Sequence, residues 1–294
     1  MNKPDTYQIV TDRIIAKLES GTIPWKHYTT IKASEGAPRN YVSGRQYNGI
    51  NYFLLGMMGY SSPHWMTFSQ AKSEGGMVRK GEKSMPIVYW NFSEREDKET
   101  GEKKSIPFLK HFNVFNAEQV DGIDARIPEP SGGRETNANA LADQIIADMP
   151  NRPVIKTGEF ASASYSPSGD TVRMTEQKLC VSDSAYYSTL LHELIHSTGH
   201  PSRLNRAFGN SFGSSGYSRE ELIAEMGACF LCSEVGIAQE TEDNSASYIA
   251  SWIKVLKGDP KAVVAAAGKA QKAANFILNT KAQNEKGNEL AIAA

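Results

Sequence analysis

The sequence predicts an α+β protein of two domains, each with its own hydrophobic core. A chain of 294 residues is long enough for two ordinary domains. Residues 127–140, IPEPSGGRETNANA, concentrate Pro, Gly, Ser and Asn between two patterned stretches, which indicates a boundary. Strand patterns dominate before this boundary and helix patterns dominate after it. We therefore expect a first domain at 1–126, a linker at 127–137, a second domain at 138–280 and a flexible tail at 281–294.

The first domain is predicted to be α/β. Val10, Ile14 and Leu18 recur four residues apart, with Asp5 as N-cap and Gly21 just past the end, which indicates an amphipathic helix. Glycine, charge and apolar patterns predict the elements that follow. These are a short helix at 65–74, a hairpin at 76–92 with its turn at Gly81, a solvated charged loop at 93–105 and a strand at 108–116.

The second domain is predicted to be mostly helical with a small sheet. A helix is expected over residues 138–149, short strands include GDTVRM at 169–174, and an apolar helix follows near residue 190. At least three more helices come after it. An edge strand at 170–174 would be able to pair with an extended peptide, although a plain structural strand fits the same residues.

Composition and charge restrict the classes of protein to which this chain can belong. Hydrophobic residues make up 40% and charged residues 22%, no apolar run approaches the roughly 18 residues that span a bilayer, and the first residues lack an apolar signal core. We therefore expect a cytoplasmic protein. Cys229 and Cys232 form a CxxC within an apolar helical pattern, which favours packing over zinc or redox chemistry. Residues 1–120 carry a formal charge of +4 and the remainder −5, as expected if only the front half contacts phosphates.

The segment TLLHELIHSTGH, residues 189–200, contains His-Glu-x-x-His in a helix-compatible run. His192 and His196 lie four residues apart, so on a helix both imidazoles share a face and can bind one metal ion. Glu193 is turned about 100° from His192, close enough to act as a general base toward a water molecule at the ion. The motif predicts a metal site, and two hydrogen-bonded core histidines are the alternative.

Two histidine-based choices for a third ligand are weak. One zinc-peptidase class has the pattern HExxHxxGxxH, but Ser202 occupies the position of its third histidine here. His200 follows His196 by four residues, yet Gly199 and Pro201 indicate that the helix has ended. His200 remains open as a ligand.

Glu221, in YSREELIAEMGACFL, is the preferred third ligand. Glutamate-type zinc peptidases supply a glutamate from a second helix, and Glu225 one turn later would accept a hydrogen bond from a ligating histidine. A capping box between Ser218 and Glu221 is the competing interpretation. The expected ion is Zn²⁺, with Mn²⁺ or another divalent ion as the alternative.

Aromatic and cationic residues are interleaved in the front half. Aromatic faces can stack on unpaired bases while cations neutralise the backbone, a pattern typical of single-stranded nucleic acid binding. Trp65 and Trp90 are expected in the core rather than at such a surface. The side chains expected to contact DNA lie on turns or strand flanks: Arg45, Tyr47, Asn51, Arg79, Lys80 and Lys83.

Several motifs resemble those of the ArdC antirestriction family, in the same order and over nearly the whole chain. SGRQYNGIN (43–51), SPHWMTFSQA (62–71), GGMVRKGEKSMPIVYW (75–90) and FNVFNAEQVDG (112–122) resemble its N-terminal domain. The segments around HELIH and EELIAEMGACFL resemble the zincin-like metallopeptidase domain that follows it. The usual TGR appears here as Ser43-Gly44-Arg45.

The resemblance implies a function. The N-terminal domain would bind single-stranded DNA without sequence preference, and the protein would protect incoming plasmid DNA during conjugation from host restriction. A zinc metallopeptidase domain implies a hydrolase with a protein substrate in the host restriction system. Two alternatives stay open: a protein that coats DNA or binds the restriction enzyme, with the metal domain as a scaffold, and a metallopeptidase toxin that does not bind DNA.

Overall fold

The computed structural model describes residues 5–25, 36–96, 103–128, 138–206, 215–239 and 246–280. The predicted tail at 281–294 and most of the predicted linker lie outside these residues. Helices and strands are mixed as predicted. The helices are α1 (Thr6–Glu19), α2 (Ile50–Gly56), α3 (Phe68–Ser73), α4 (Ala138–Asp148), α5 (Asp183–Ser197), α6 (Ser215–Val235), α7 (Ala246–Gly258) and α8 (Ala262–Ile277).

The described strands form three small sheets. Their bounds are β1 (Arg39–Asn40), β2 (His64–Thr67), β3 (Met77–Val78), β4 (Met85–Glu96), β5 (Lys103–Asn116), β6 (Val120–Asp121), β7 (Val154–Gly158), β8 (Ser164–Ser166) and β9 (Thr171–Thr175). The front half holds a four-stranded sheet of order β1-β2-β5-β4 and the pair β3-β6, and the back half holds β7-β9-β8. None of the helices in the described part of the chain is long and apolar enough to cross a membrane.

Three predictions about the front half were wrong in detail. Residues 76–92 do not form a hairpin, because β3 pairs with β6 and β4 pairs with β5. Within the charged segment 93–105, residues 93–96 and 103–105 are strand, since Glu96 lies opposite Lys103 in the antiparallel register, and residues 97–102 lie outside the described part of the chain. The predicted helix at 65–74 begins as strand β2 and turns into α3 at Phe68, where Thr67 and Gln70 form a capping box.

The strand at 171–175 is central rather than at an edge. β9 pairs in parallel with β7 and antiparallel with β8, so both of its sides are used. The predicted pairing of this strand with an extended peptide is therefore wrong. Its alternating buried residues Val172 and Met174 instead pack in the main core.

One apolar core runs through both halves of the chain. Trp25 and Trp252 are buried and pack edge to face, with ring centroids 5.1 Å apart. Phe53 packs on Phe230 at 4.9 Å, and the Tyr52 hydroxyl donates to Ser233 Oγ at 2.8 Å. The boundary in the sequence is therefore not a gap in the packing, and each half covers apolar surface of the other.

Helix α6 passes close to α5 in the middle of the back half. A Cβ atom at Gly227 would lie 2.6 Å from Ile195 Cδ1, nearer than side-chain atoms approach one another. Glycine at this position therefore lets the two helices pack closely. Cys229 and Cys232, on the same helix, are buried, as the packing interpretation of the CxxC predicts.

Candidate metal centre

Helix α5 carries His192, Glu193 and His196, and its ends are fixed by side chains. Ser182 caps the N-terminus by accepting a hydrogen bond from Ala185 N. At the C-terminus Arg203 donates to Ser197 O at 2.8 Å and forms an ion pair with Asp170, just before β9. The helix is thereby anchored to the sheet β7-β9-β8.

The two motif histidines face the same glutamate of α6. The Nε2 atoms of His192 and His196 lie 3.1 Å apart. Glu221 Oε2 lies 3.5 Å from His192 Nε2, and Glu221 Oε1 lies 3.6 Å from His196 Nε2. The three side chains form the one group in the described residues with the spacing of metal ligands.

This group of donors fits a divalent metal ion. Ligand atoms bonded tetrahedrally to zinc at about 2.0–2.2 Å lie roughly 3.3–3.6 Å from one another, close to the separations of the three donors. Two imidazole nitrogens and one carboxylate are also ligands that Zn²⁺ accepts.

The competing third ligands are placed elsewhere. His200 lies beyond the end of α5, and its Nδ1 is 2.8 Å from Ser202 Oγ. The capping box between Ser218 and Glu221 is wrong, because α6 begins at Ser215 and Ser218 is buried inside the helix beside Ser251. Glu221 is therefore left to face the two histidines.

Each histidine has a second carboxylate behind it. His192 Nδ1 lies 3.6 Å from Glu225 Oε1, and Glu225 Oε2 accepts a hydrogen bond from Gln239 at 3.0 Å. His196 Nδ1 lies 3.4 Å from Glu220 Oε1. Glu225 was predicted from the sequence, whereas Glu220, which is adjacent to Glu221 and has the same residue type, was not.

Burial and the neighbouring side chains shift the pKa values of these groups in opposite directions. Burial opposes protonation of His196, but Glu220 and Glu221 outweigh it and raise the pKa of His196 to about 10. The pKa of His192 is raised as well, since Glu221 overcomes the effect of burial. Burial would raise the pKa of Glu221, but the two imidazoles hold it far below its usual range. The potential at this site favours a cation.

Glu193 is buried, with 8% of its surface exposed. Its negative charge acts on both histidines. The described residues provide its carboxylate with no hydrogen bond or ion pair. A carboxylate next to the candidate ligands is therefore available for proton transfer.

Structures of known proteins match this architecture. Crystal structures of the antirestriction protein ArdC from plasmid R388 match in a metal-free form, with a TM-score of 0.75 and 39% identity over 97% of this chain and 99% of theirs. The Mn(II)-bound form matches with a TM-score of 0.74 and 38% identity over 96% of this chain and 100% of theirs.

The chain belongs to the ArdC antirestriction family. The family model for the N-terminal domain of anti-restriction factor ArdC matches residues 4–115, and a model described as a zincin-like metallopeptidase matches residues 140–269. The two-domain organisation and the zincin-like fold predicted from the sequence are thus confirmed. Since a relative has been solved with Mn(II), the family includes a divalent-metal-binding member.

Two curated relatives match this chain over very different shares of their own length. A DNA primase TraC from Escherichia coli is 38% identical over 94% of this chain, and the match covers 27% of the primase. The uncharacterized protein y4eC of Sinorhizobium fredii (strain NBRC 101917 / NGR234) is 33% identical over 93% of this chain and 91% of its own length. The chain thus spans about a quarter of the primase and nearly all of y4eC.

The predicted DNA contacts differ in how accessible their side chains are. Asn51 pairs fully with the backbone of Val88, donating to its carbonyl at 2.7 Å and accepting from its N–H at 2.8 Å. The Tyr47 hydroxyl accepts from Asn40, and its ring packs on the main core. Arg79 is held by Glu82, Asp121 and the carbonyl of Glu118. All three side chains are thus tied to the fold, while Arg79 is also exposed at the surface.

Lys80 and Lys83 lie exposed on either side of Gly81, in the turn before β4. Gly81 has a φ of +91°, a conformation that strains other residues, so this turn depends on glycine. Arg45 is half-buried at a neighbouring turn. Arg79 is exposed as well but is ion-paired with Glu82 and Asp121, so Lys80 and Lys83 are the predicted cations that combine exposure with a place in this turn.

Trp90 is 49% exposed, so the prediction that it belongs to the core was wrong. Its ring lies 6.3 Å from Tyr7 in edge contact, and Lys261 Nζ lies 5.5 Å from the Tyr7 ring centroid. Trp65, by contrast, is buried as predicted. Strand alternation could have indicated the exposed position, but the length of β4 was not visible in the sequence.

Proposed function

We propose that this chain is an antirestriction protein that binds single-stranded DNA and carries a divalent-metal peptidase site, acting in the bacterial cytoplasm on plasmid DNA. The observation that carries the peptidase part is the group of His192, His196 and Glu221 beside the unpaired carboxylate of Glu193. The Mn(II)-bound relative supports a divalent ion, and we propose Zn²⁺ or Mn²⁺. The relatives named DNA primases fit a role on DNA.

Each residue of the proposed centre has a distinct part. His192 and His196 hold the ion from α5, and Glu221 holds it from α6. When bound, the ion would polarise a substrate carbonyl and make water more acidic. Glu193 would take a proton from the attacking water at its carboxylate and return it to the amine that leaves as the peptide C–N bond breaks, as a buried general base does. The front half keeps this site near transferred strands and raises its local concentration there.

The experiment that tests this function is plasmid transfer into a restricting host in the presence of Glu193→Gln. The variant should keep its metal, because Gln is isosteric and Glu193 is not among the proposed ligands. We expect protection to fall to the level of a strain without the protein, since the amide cannot accept the proton. The matched control is Glu234→Gln, an exposed change on α6.

Protection by Glu193→Gln at the parent level would rule out proteolysis as the protective step. The back half would then be a metal-stabilised scaffold for a DNA-binding protein.

We propose that the strand of DNA passes the turn with Lys80 and Lys83 and stacks a base on Trp90. Removing the Trp90 side chain by Trp90→Ala should weaken binding of a single-stranded oligonucleotide by about 1–3 kcal/mol without changing its salt dependence. Replacing Lys80 and Lys83 by Ala should reduce the slope of log affinity against log salt by roughly 1.4, about 0.7 per phosphate contact. Fluorescence anisotropy over a salt series measures both effects.

Phe68→Ala is the control for loss of an exposed aromatic ring, since Phe68 is 53% exposed on α3. If Phe68→Ala and Trp90→Ala weakened oligonucleotide binding equally, a stacking site at Trp90 would be contradicted. Absence of any affinity in the parent would favour the metallopeptidase toxin that does not bind DNA.

A further inference from the structure

Glu220 lies between a proposed metal ligand and an arginine. It is buried, with 6% of its surface exposed, and its Oε1 lies 3.4 Å from His196 Nδ1. Arg206 contacts both oxygens, with Nη2 2.6 Å from Oε1 and Nε 3.2 Å from Oε2. This two-point contact fixes the plane of the carboxylate and thus its direction toward the histidine ring.

Arg206 is itself held at the C-terminal end of α5, the helix that carries His196. Its Nη1 donates to Thr198 Oγ1 at 2.6 Å, and its Nη2 donates to Ile195 O at 2.9 Å. The carbonyl of Ile195 belongs to the last turn of α5 and also accepts from Thr198 N at 3.1 Å and Thr198 Oγ1 at 2.6 Å. The guanidinium therefore joins the C-terminal end of α5 to the start of α6.

The contact on Nδ1 determines which nitrogen of His196 is available. A proton on Nδ1 directed at Glu220 leaves the lone pair on Nε2, the atom that faces His192 and Glu221. Glu220 cannot replace Glu221 as a ligand in this arrangement, because it meets the opposite nitrogen of the ring and both of its oxygens are occupied by Arg206.

We propose that Glu220 and Arg206 form a positioning pair that fixes the ring of His196 for metal binding. The proposal rests on the metal site of the proposed function. It assigns to His196 a carboxylate held by a neighbouring side chain, as Glu225, held by Gln239, lies 3.6 Å from His192 Nδ1. Neither member of the pair touches the ion.

The test measures the affinity of the full chain for Zn²⁺ by competition with a chromophoric chelator. Glu220→Gln and Glu220→Asp should each weaken binding by about 10- to 100-fold, the usual effect of losing a carboxylate behind a ligating histidine. Arg206→Lys should weaken it as well, because lysine cannot hold both oxygens. The visible spectrum of the Co²⁺-loaded protein should shift in all three variants, and Glu234→Gln on the same helix should match the parent.

Thermal unfolding of the metal-free proteins separates positioning from a structural role. Glu220→Asp keeps a carboxylate for Arg206, so its midpoint should stay near that of the parent while its Zn²⁺ affinity falls. Parent-like affinity in Glu220→Asp and Arg206→Lys would overturn the positioning pair and leave the metal site standing. A parent that binds no Zn²⁺ and no Mn²⁺ would overturn the metal site, and the positioning pair with it.

Discussion

Glu221→Ala is expected to abolish stoichiometric binding of the divalent ion. The glutamate is the one carboxylate that faces the Nε2 atoms of both motif histidines, at 3.5 and 3.6 Å, among the residues that the structure describes. Metal binding also stabilises the folded state, by about 4 kcal/mol when the free ion exceeds its Kd a thousandfold. The variant should therefore lose the rise in melting temperature that Zn²⁺ gives the parent. Metal analysis after dialysis and thermal melts with and without Zn²⁺ measure both effects.

His200→Ala is the matched control, because His200 follows the motif but contacts Ser202 instead of the ligand group. It should retain one ion per chain. If Glu221→Ala retained one ion per chain and His200→Ala lost its ion, the third ligand would be His200.

Trp252→Ala is expected to destabilise the whole chain by about 3–5 kcal/mol, the usual cost of truncating a buried tryptophan. Trp252 is 1% exposed and packs on Trp25 from the front half. Since the core is continuous, both halves should still unfold in one transition at a lower denaturant concentration. Denaturation with urea, followed by circular dichroism and by oligonucleotide binding, measures this.

Trp90→Ala provides the comparison, because nearly half of Trp90 is exposed. It should change the free energy of unfolding by only about 0.5 kcal/mol. Two separate transitions in Trp252→Ala, with DNA binding lost only in the second, would contradict the shared core.

The two histidines of the proposed metal site could be predicted because their placement depends on local periodicity. His192 and His196 share a face on any helix, whatever the remainder of the chain does. Glu221 was identified by a second helical pattern together with the known use of glutamate as a third ligand. Glu220 was missed because adjacent glutamates look equivalent in a sequence, and only the position of Arg206 shows which nitrogen each one meets.

The front half was harder to predict because its pairings are distant in the chain. Met77–Val78 pairs with Val120–Asp121, more than forty residues later, so the nearby β4 was an incorrect partner. Asn51 was predicted to contact DNA from its residue type and position, but its amide pairs with the backbone of Val88 in the fold. Whether a side chain is exposed, and which hydrogen bonds it makes, depends on how the sheet folds. Local sequence patterns do not contain this information.

Anomalous diffraction from crystals grown with Zn²⁺ tests the proposed centre most directly. We predict one strong peak per chain at the zinc edge, within bonding distance of His192 Nε2, His196 Nε2 and the carboxylate of Glu221. Glu193 should lie beside the peak without bonding to the ion. A peak bound to His200, or no peak near α5 in crystals that hold Zn²⁺, would contradict the metal centre proposed for this chain.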